Sequence, residues 1–234
     1  MKYLGSKRRH AKEILEVFKN YYEEGMLYIE PFVGGGNMID AVPFPNKIGY
    51  DVDANTISAL ISIRDDLDDL PNNCLDFTKE DYVAANKNLE TKHRGYIGYA
   101  LSYGGKWFSG WRADSIGKRD YVAESYRDAQ RQSPKLQGIV LNVKSVFDIK
   151  DLPAKALIYC DPPYRDTTKY SNSIDHDKFY EWCRSMRDKG HVIFVSEYWM
   201  PEDFECVWEK SVKSNFDTEK SEKLVAKERL FLLK

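Results

Sequence analysis

Two rhythms of apolar residues alternate along this chain. Short continuous apolar runs occur at Leu27–Glu30, Lys47–Asp51, Gly138–Val143, Ala156–Cys160 and His191–Tyr198. Their length and lack of alternation predict buried parallel strands. Between them apolar positions recur at helical spacing, as at Ala11, Ile14, Leu15, Phe18 and Tyr22, with Ser6 as N-cap. A second helix is predicted over 55–70 (Ile57, Leu60, Ile61, Leu67), stopped by Pro71. Thr78–Asp81 resembles a capping box that opens another, with Tyr82, Ala85 and Leu89 on its face. Helical patterns follow at 94–103, at 119–132 and from Asp175 to Lys189, the last closed by Gly190. Two apolar stretches in the tail, Phe204–Trp208 and Arg229–Leu233, are joined by a polar span and suit a hairpin. Strands and helices in this alternation predict an α/β fold, a doubly wound sheet with a small helical insertion.

Composition changes that picture in one place. At 234 residues and 42% hydrophobic content the chain can bury one sizeable core plus a smaller lobe. Its net charge of −2 advertises no general field for nucleic acid. Yet the segment Lys92–Lys135 carries nine cations and four acids, a local charge of +5. Aromatic residues are interleaved with these cations. Within it, Gly104-Gly105-Lys106-Trp107-Phe108-Ser109-Gly110-Trp111-Arg112 places two tryptophans, a phenylalanine and two cations between glycines. The rings are either a satellite core or part of a finger that reads nucleic acid.

Four scattered cysteines and four histidines show no metal-ligand spacing, so no metal is expected. Cys160 lies inside an apolar run, as a buried free thiol in a reducing compartment would. The absence of a signal-peptide pattern or a membrane-length apolar run suggests a soluble, cytoplasmic chain, with a monomer as the simplest state.

The candidate chemistry sits at strand ends. Leu157-Ile158-Tyr159-Cys160 runs into Asp161-Pro162-Pro163-Tyr164. Two prolines fix an extended turn, so Asp161 and Tyr164 are held at the C-terminal edge of a sheet, where open α/β sheets bind ligands. A carboxylate and a backbone carbonyl in one rigid turn can accept both hydrogens of an exocyclic amine, and an adjacent tyrosine can stack on the ring that bears it. Upstream, Glu30-Pro31-Phe32-Val33-Gly34-Gly35-Gly36 is a strand entering a glycine turn. Asp51 follows Gly34 by 17 residues, where nucleotide-binding βαβ units keep the acid for ribose hydroxyls. Lys7-Arg8-Arg9 opposes the dipole in a first helical turn, so either a solvated cluster or a bound anion is expected there.

Taken together and in order, these stretches resemble one family. Tyr3-x-Gly5-Ser6-Lys7 resembles motif X, Glu30 to Gly36 motif I, and Asp161-Pro162-Pro163-Tyr164 motif IV of the Dam-type (alpha-group, D12 class) DNA adenine-N6 methyltransferases. The resemblance implies the Rossmann-like sheet of S-adenosylmethionine-dependent methyltransferases, with residues 1–76 and 137–234 as catalytic domain and 77–136 as target-recognition domain. It implies S-adenosylmethionine as cofactor, S-adenosylhomocysteine as product, and double-stranded DNA as partner. By the same resemblance Tyr3, Lys7, Phe32, Gly34, Gly35, Gly36, Asp51, Val146, Phe147 and Asp161 hold the cofactor, with Lys7 near its carboxylate. Asp161, Pro162, Pro163 and Tyr164 receive a flipped adenine. In the basic segment Arg112 is the candidate base reader, Trp107, Phe108 and Trp111 the wedge, and Lys106, Lys118, Arg119 and Arg127 the basic surroundings. Lys169 or Tyr170 would close over the base. A cytosine-N4 enzyme and an inactive DNA-binding relative are the alternatives; Asp161 argues against the first, and the intact glycines, Asp51 and Asp161 against the second. GATC or a close relative is the sequence implied, and the compact design suits a solitary or phage-encoded enzyme.

Overall fold

The computed structural model describes residues 1–113, 117–165, 174–213 and 225–234. Lys169 and Tyr170 lie outside these residues. The strands are β1 (Leu27–Glu30), β2 (Lys47–Asp51), β3 (Val140–Val143), β4 (Ala156–Cys160), β5 (Val192–Ser196), β6 (Phe204–Lys213) and β7 (Val225–Leu233). The helices are α1 (Ala11–Phe18), α2 (Ala54–Asp65), α3 (Lys79–Lys87), α4 (Arg94–Ala100), α5 (Tyr121–Leu136) and α6 (His176–Asp188). One seven-stranded sheet runs β3-β2-β1-β4-β5-β7-β6. The first five strands are parallel, β7 runs antiparallel beside β5, and β6, paired antiparallel with β7, returns to the direction of the first five.

Strand alternation divides the core between two faces. Tyr28, Leu157, Tyr159, Phe194 and Leu230 pack with Phe18 of α1 and with α2, α4 and α5. Their neighbours Ile29, Ile158, Cys160, Ile193 and Phe231 pack with Phe179, Cys183 and Met186 of α6. Such a sheet, covered on both sides, is the doubly wound mixed architecture that the apolar runs predict. Tyr82 of α3 and Tyr96 of α4 belong to the same cluster as Phe18 and Tyr28, so the basic helical segment shares the core of the sheet.

Several element boundaries differ from expectation for local reasons. Helix α2 ends at Asp65, and a 3-10 turn covers Leu67–Asp69. Asp65, Asp66, Asp68 and Asp69 crowd that end, where carboxylates oppose the helix dipole. Helix α5 continues through Pro134 to Leu136, past the predicted stop near 132. Gln132 and Leu136 are fully buried there, and their packing offsets a proline penalty of about 3 kcal/mol. Ser6 caps a 3-10 turn, Lys7–Arg9, before α1 begins at Ala11. The hairpin strands outrun their apolar stretches because Glu209 pairs across the sheet with Lys227 and Arg229.

Candidate active site

The strand order reverses between β1 and β4: β2 and β3 continue from β1 on one side, β4 and β5 on the other. The switch-point crevice of an open α/β sheet therefore lies at the C-terminal ends of β1 and β4. The glycine turn leaves β1 there, and Asp161-Pro162-Pro163-Tyr164 leaves β4 beside it. Asp51 ends β2 at the same edge, and Glu197 follows β5.

The glycine turn is shaped by close approach. Gly34 and Gly36 have φ of +46° and +68°, open to glycine without strain. A Cβ on Gly35 would lie 2.6 Å from Tyr3 Cβ and 2.7 Å from Asn37 Nδ2. Tyr3 thus lies directly on the turn, with its ring 5.1 Å from that of Tyr99. Leu4 N–H donates to the Gly105 carbonyl at 3.2 Å, which fastens the N-terminal segment to the 104–112 loop. Asp51 holds the turn from the other side: its carboxylate accepts from Gly34 N–H and Asp53 N–H, each at 3.0 Å. Burial pushes the Asp51 carboxyl up to about 6, against the pull of those two backbone donors. Phe32 meets Phe179 edge-on at 5.7 Å. Val146 is buried and Phe147 half-buried in a 3-10 turn after β3.

The anion expected beside Lys7 is internal to the protein. Lys7 is 8% exposed, and its ammonium lies 3.1 Å from Asp161 Oδ1 and 3.7 Å from Glu228 Oε2. It also donates to the Gly5 carbonyl at 3.2 Å. Its ammonium therefore lies within an ion pair of two carboxylates and a hydrogen bond to one carbonyl. Lys7, expected near a cofactor carboxylate, is placed here between two carboxylates of the protein itself. Burial would lower the Lys7 pKa, but Asp161 and Glu228 more than offset it, and the net direction is up. Asp161 is raised by burial, with Lys7 pulling the other way.

Tyr164 is fixed on several sides. Its hydroxyl donates to Glu228 Oε2 at 3.1 Å, Lys7 Nζ lies 4.6 Å from its ring centre, and Tyr198 meets it edge-on at 4.7 Å. Pro162 is buried and Pro163 half-buried. Just beyond, Arg165 N–H donates to the buried Glu197 carboxylate at 2.6 Å.

In the 104–112 loop the rings turn inward. Trp107 packs against Tyr99 and Phe108 against Tyr82, while Trp111 sits between Tyr82 and Phe77. All three are partly buried against the main apolar cluster, as the satellite-core reading of these rings expects. Burying that apolar area outweighs leaving it in water. Arg112 is likewise engaged: its guanidinium lies 3.1 Å from Glu124 and 4.0 Å from the Tyr121 ring. In this arrangement it ties the loop to the start of α5. Lys106, Lys118, Arg119 and Arg127 are exposed, and Arg119 also pairs with Glu124.

Sequence reasoning missed Glu228, Glu197 and Asp53. The last caps α2 and receives the Tyr99 hydroxyl. A carboxylate ending a strand, as in Val195-Ser196-Glu197, was a usable signal. Glu228 carries none, since it sits among Lys227 and Arg229 like any hairpin charge. Among the described residues no group of three or more His, Cys, Asp or Glu could hold a metal ion. No helix among them is long and apolar enough to cross a membrane.

Among solved structures the chain is similar to a protein from Escherichia coli described as a methyltransferase, yhhF, at 10% identity and TM-score 0.43, covering 100% of this chain and 89% of that one. A protein from Clostridium thermocellum described as an rRNA methylase is similar at 8% identity and TM-score 0.43, with 95% of each chain covered. A conserved protein from Streptococcus pyogenes matches at 9% identity and TM-score 0.42, with 94% of each covered. No curated protein sequence matches the chain. Membership is decided by sequence: a family model matches residues 3–229, and the chain belongs to the D12 class N6 adenine-specific DNA methyltransferases.

Proposed function

We propose that the chain transfers a methyl group from S-adenosylmethionine to N6 of an adenine rotated out of duplex DNA. The observation that carries this reading is the meeting of the Gly34–Gly36 turn and the Lys7-paired Asp161 turn at one switch point. The residues fit the cofactor. Gly34, half-buried beneath Tyr3, brings side-chain-free backbone to the crevice, and the Asp51 carboxylate keeps acceptor capacity beyond its two N–H bonds. When bound, S-adenosylmethionine supplies a methyl group on a positively charged sulfur. Tyr3, Phe32, Val146 and Phe147 would line its apolar contacts.

An aromatic amine is a poor nucleophile because its lone pair is delocalised into the ring. Asp161 and the Pro162 carbonyl, accepting one N6 hydrogen each, would let the nitrogen pyramidalise with its lone pair free. Catalysis is then mostly positioning and electrostatics. Lys7 keeps Asp161 in its acceptor form; as the C–N bond forms, the amine becomes acidic and Asp161 is placed to take its hydrogen. Tyr164 would stack on the extruded base, worth about 1–3 kcal/mol. Residues 77–136 would serve as the target-recognition unit, with Lys106, Lys118, Arg119 and Arg127 neutralising phosphates. The inward rings of Trp107, Phe108 and Trp111 would stiffen it.

The test is incubation with random-sequence duplex DNA and S-adenosylmethionine, followed by nucleoside mass spectrometry. N6-methyladenine is expected, and loss of about a hundred- to thousandfold in Asp161→Ala. N4-methylcytosine as product, or Asp161→Ala retaining a tenth or more of the native rate, in rough terms, would overturn the reading.

A further inference from the structure

The antiparallel hairpin contributes a carboxylate to the switch-point crevice. Alternation along β7 sends Lys227 and Arg229 to one face, where both meet Glu209, and Glu228 to the other, with Leu230. Lys210 stands opposite Glu228 in the ladder, but its ammonium pairs with Glu13 of α1. Glu228, 19% exposed, is left to face Lys7 and Tyr164. One carboxylate oxygen, Oε2, serves both: it accepts the Tyr164 hydroxyl at 3.1 Å and lies 3.7 Å from the Lys7 ammonium.

We propose that Glu228 is a positioning residue for methyl transfer, setting the Tyr164 ring and dividing Lys7 between itself and Asp161. This rests on the reading of the Asp161 turn as the site that receives the amino group. Pro162 and Pro163 limit the backbone of the turn, but nothing in them orients the ring two bonds away from it. The hydroxyl anchor on Glu228 does, together with the ring contacts to Tyr198 and Lys7. Without Glu228, Lys7 at 3.1 Å from Asp161 would have that carboxylate as its one close charged partner and would occupy the acceptor the substrate amine needs. A second carboxylate at 3.7 Å draws the ammonium back without removing it. The hairpin, otherwise an edge of the sheet, thereby becomes part of the catalytic scaffold.

The test compares Glu228→Ala, the near-isosteric Glu228→Gln, Tyr164→Phe and the Tyr164→Phe/Glu228→Ala pair in single-turnover methylation of duplex DNA. In parallel, 3-fluorotyrosine placed at position 164 reports the ring by fluorine NMR, with or without activity. Glu228→Ala should slow transfer by about ten- to a hundredfold, the cost of a misplaced group. Binding of S-adenosylmethionine and of DNA should stay within about threefold of native, as for loss of a purely transition-state contribution. Glu228→Gln, whose amide oxygen still accepts the hydroxyl, should fall between native and Ala. The double variant should be no more than about twofold slower than the slower single, because both remove one contact. The fluorine resonance should shift in Glu228→Ala. Native turnover in Glu228→Ala, fully multiplying losses in the double, or an unmoved resonance would each overturn the proposal. Should the native chain leave adenine unmethylated, the reading of the site fails; the resonance then still decides whether Glu228 sets the ring.

Discussion

Replacing Lys7 with methionine keeps the length of the side chain and deletes its charge. The ammonium is 8% exposed, and the pair it forms with Asp161 spans 3.1 Å. At an effective dielectric of about 20 that separation corresponds to a gross attraction of about 5 kcal/mol. Desolvation consumes much of this, and removing one partner of a buried pair costs about 3–5 kcal/mol net. Asp161 and Glu228 would then lie near each other with no cation between them. Burial already raises the Asp161 carboxyl and Lys7 opposes that rise, so the variant raises it further. A carboxyl whose folded pKa lies above its unfolded one contributes stability at low pH and loses it as pH rises through the folded value. Lys7→Met should therefore be close to native stability in acid and increasingly unstable toward alkaline pH. Activity should slope the other way, because only the deprotonated Asp161 accepts the amine hydrogens. At neutral pH a loss of about a hundred- to thousandfold is expected, recovering in part as pH rises. Urea unfolding and single-turnover methylation, each measured across pH on the same preparations, give the two slopes. Native turnover at neutral pH, or a rate profile parallel to that of the native protein, would refute the argument.

Other changes test the neighbouring contacts. If charged Asp51 holds cofactor hydroxyls, calorimetric affinity for S-adenosylmethionine should fall as pH drops through about 6 in the native protein and stay flat in Asp51→Asn. Its effect on stability has the opposite sign: the contribution of Asp51 is fully present below 3.8 and lost as pH rises through about 6. Gly35→Ala places a Cβ 2.6 Å from Tyr3 Cβ, and should displace Tyr3 and cost about 1–3 kcal/mol. Unchanged cofactor affinity in that variant would detach Tyr3 from the cofactor seat. Gly98→Ala drives a Cβ to 2.3 Å from Trp107 Cζ3, so it should cost about 1–3 kcal/mol and red-shift tryptophan emission. A melting temperature and spectrum that do not move would return Trp107 to solvent.

The sheet was legible because its central strands, β1, β4 and β5, are almost wholly buried and bounded by sharp signals. Ala156–Cys160 is apolar without interruption and closed by Asp161 and two prolines, and β4 occupies those residues. The Thr78–Asp81 capping box is present in the folded chain with both reciprocal bonds. Boundaries failed where a tertiary contact overrode a local rule. Pro134 reads as a stop, but Leu136 beyond it is fully buried in the main core, and that burial carries the helix past the proline. The hairpin was underestimated because its outer half is held by ion pairs between charged residues, which carry no apolar rhythm.

At the site, motifs located the residues but not their partners. Three short stretches, at Tyr3–Lys7, Glu30–Gly36 and Asp161–Tyr164, converge on one crevice because β1 and β4 are neighbours, a fact that periodicity does not contain. Lys7 looked like a cation waiting for a ligand because the opposing charges are 154 and 221 residues away along the chain. The aromatic loop was ambiguous for the converse reason. Tryptophan and phenylalanine between glycines look exposed, but Gly98 on α4 removes the side chain that would have kept Trp107 out. Gly105 lets the loop backbone touch Tyr3, where an added Cβ would come within 2.8 Å of the Tyr3 nitrogen. The same loop that buries its rings therefore also holds down the segment that covers the glycine turn. A glycine at the edge of a loop acts here as a contact surface, and only packing shows it.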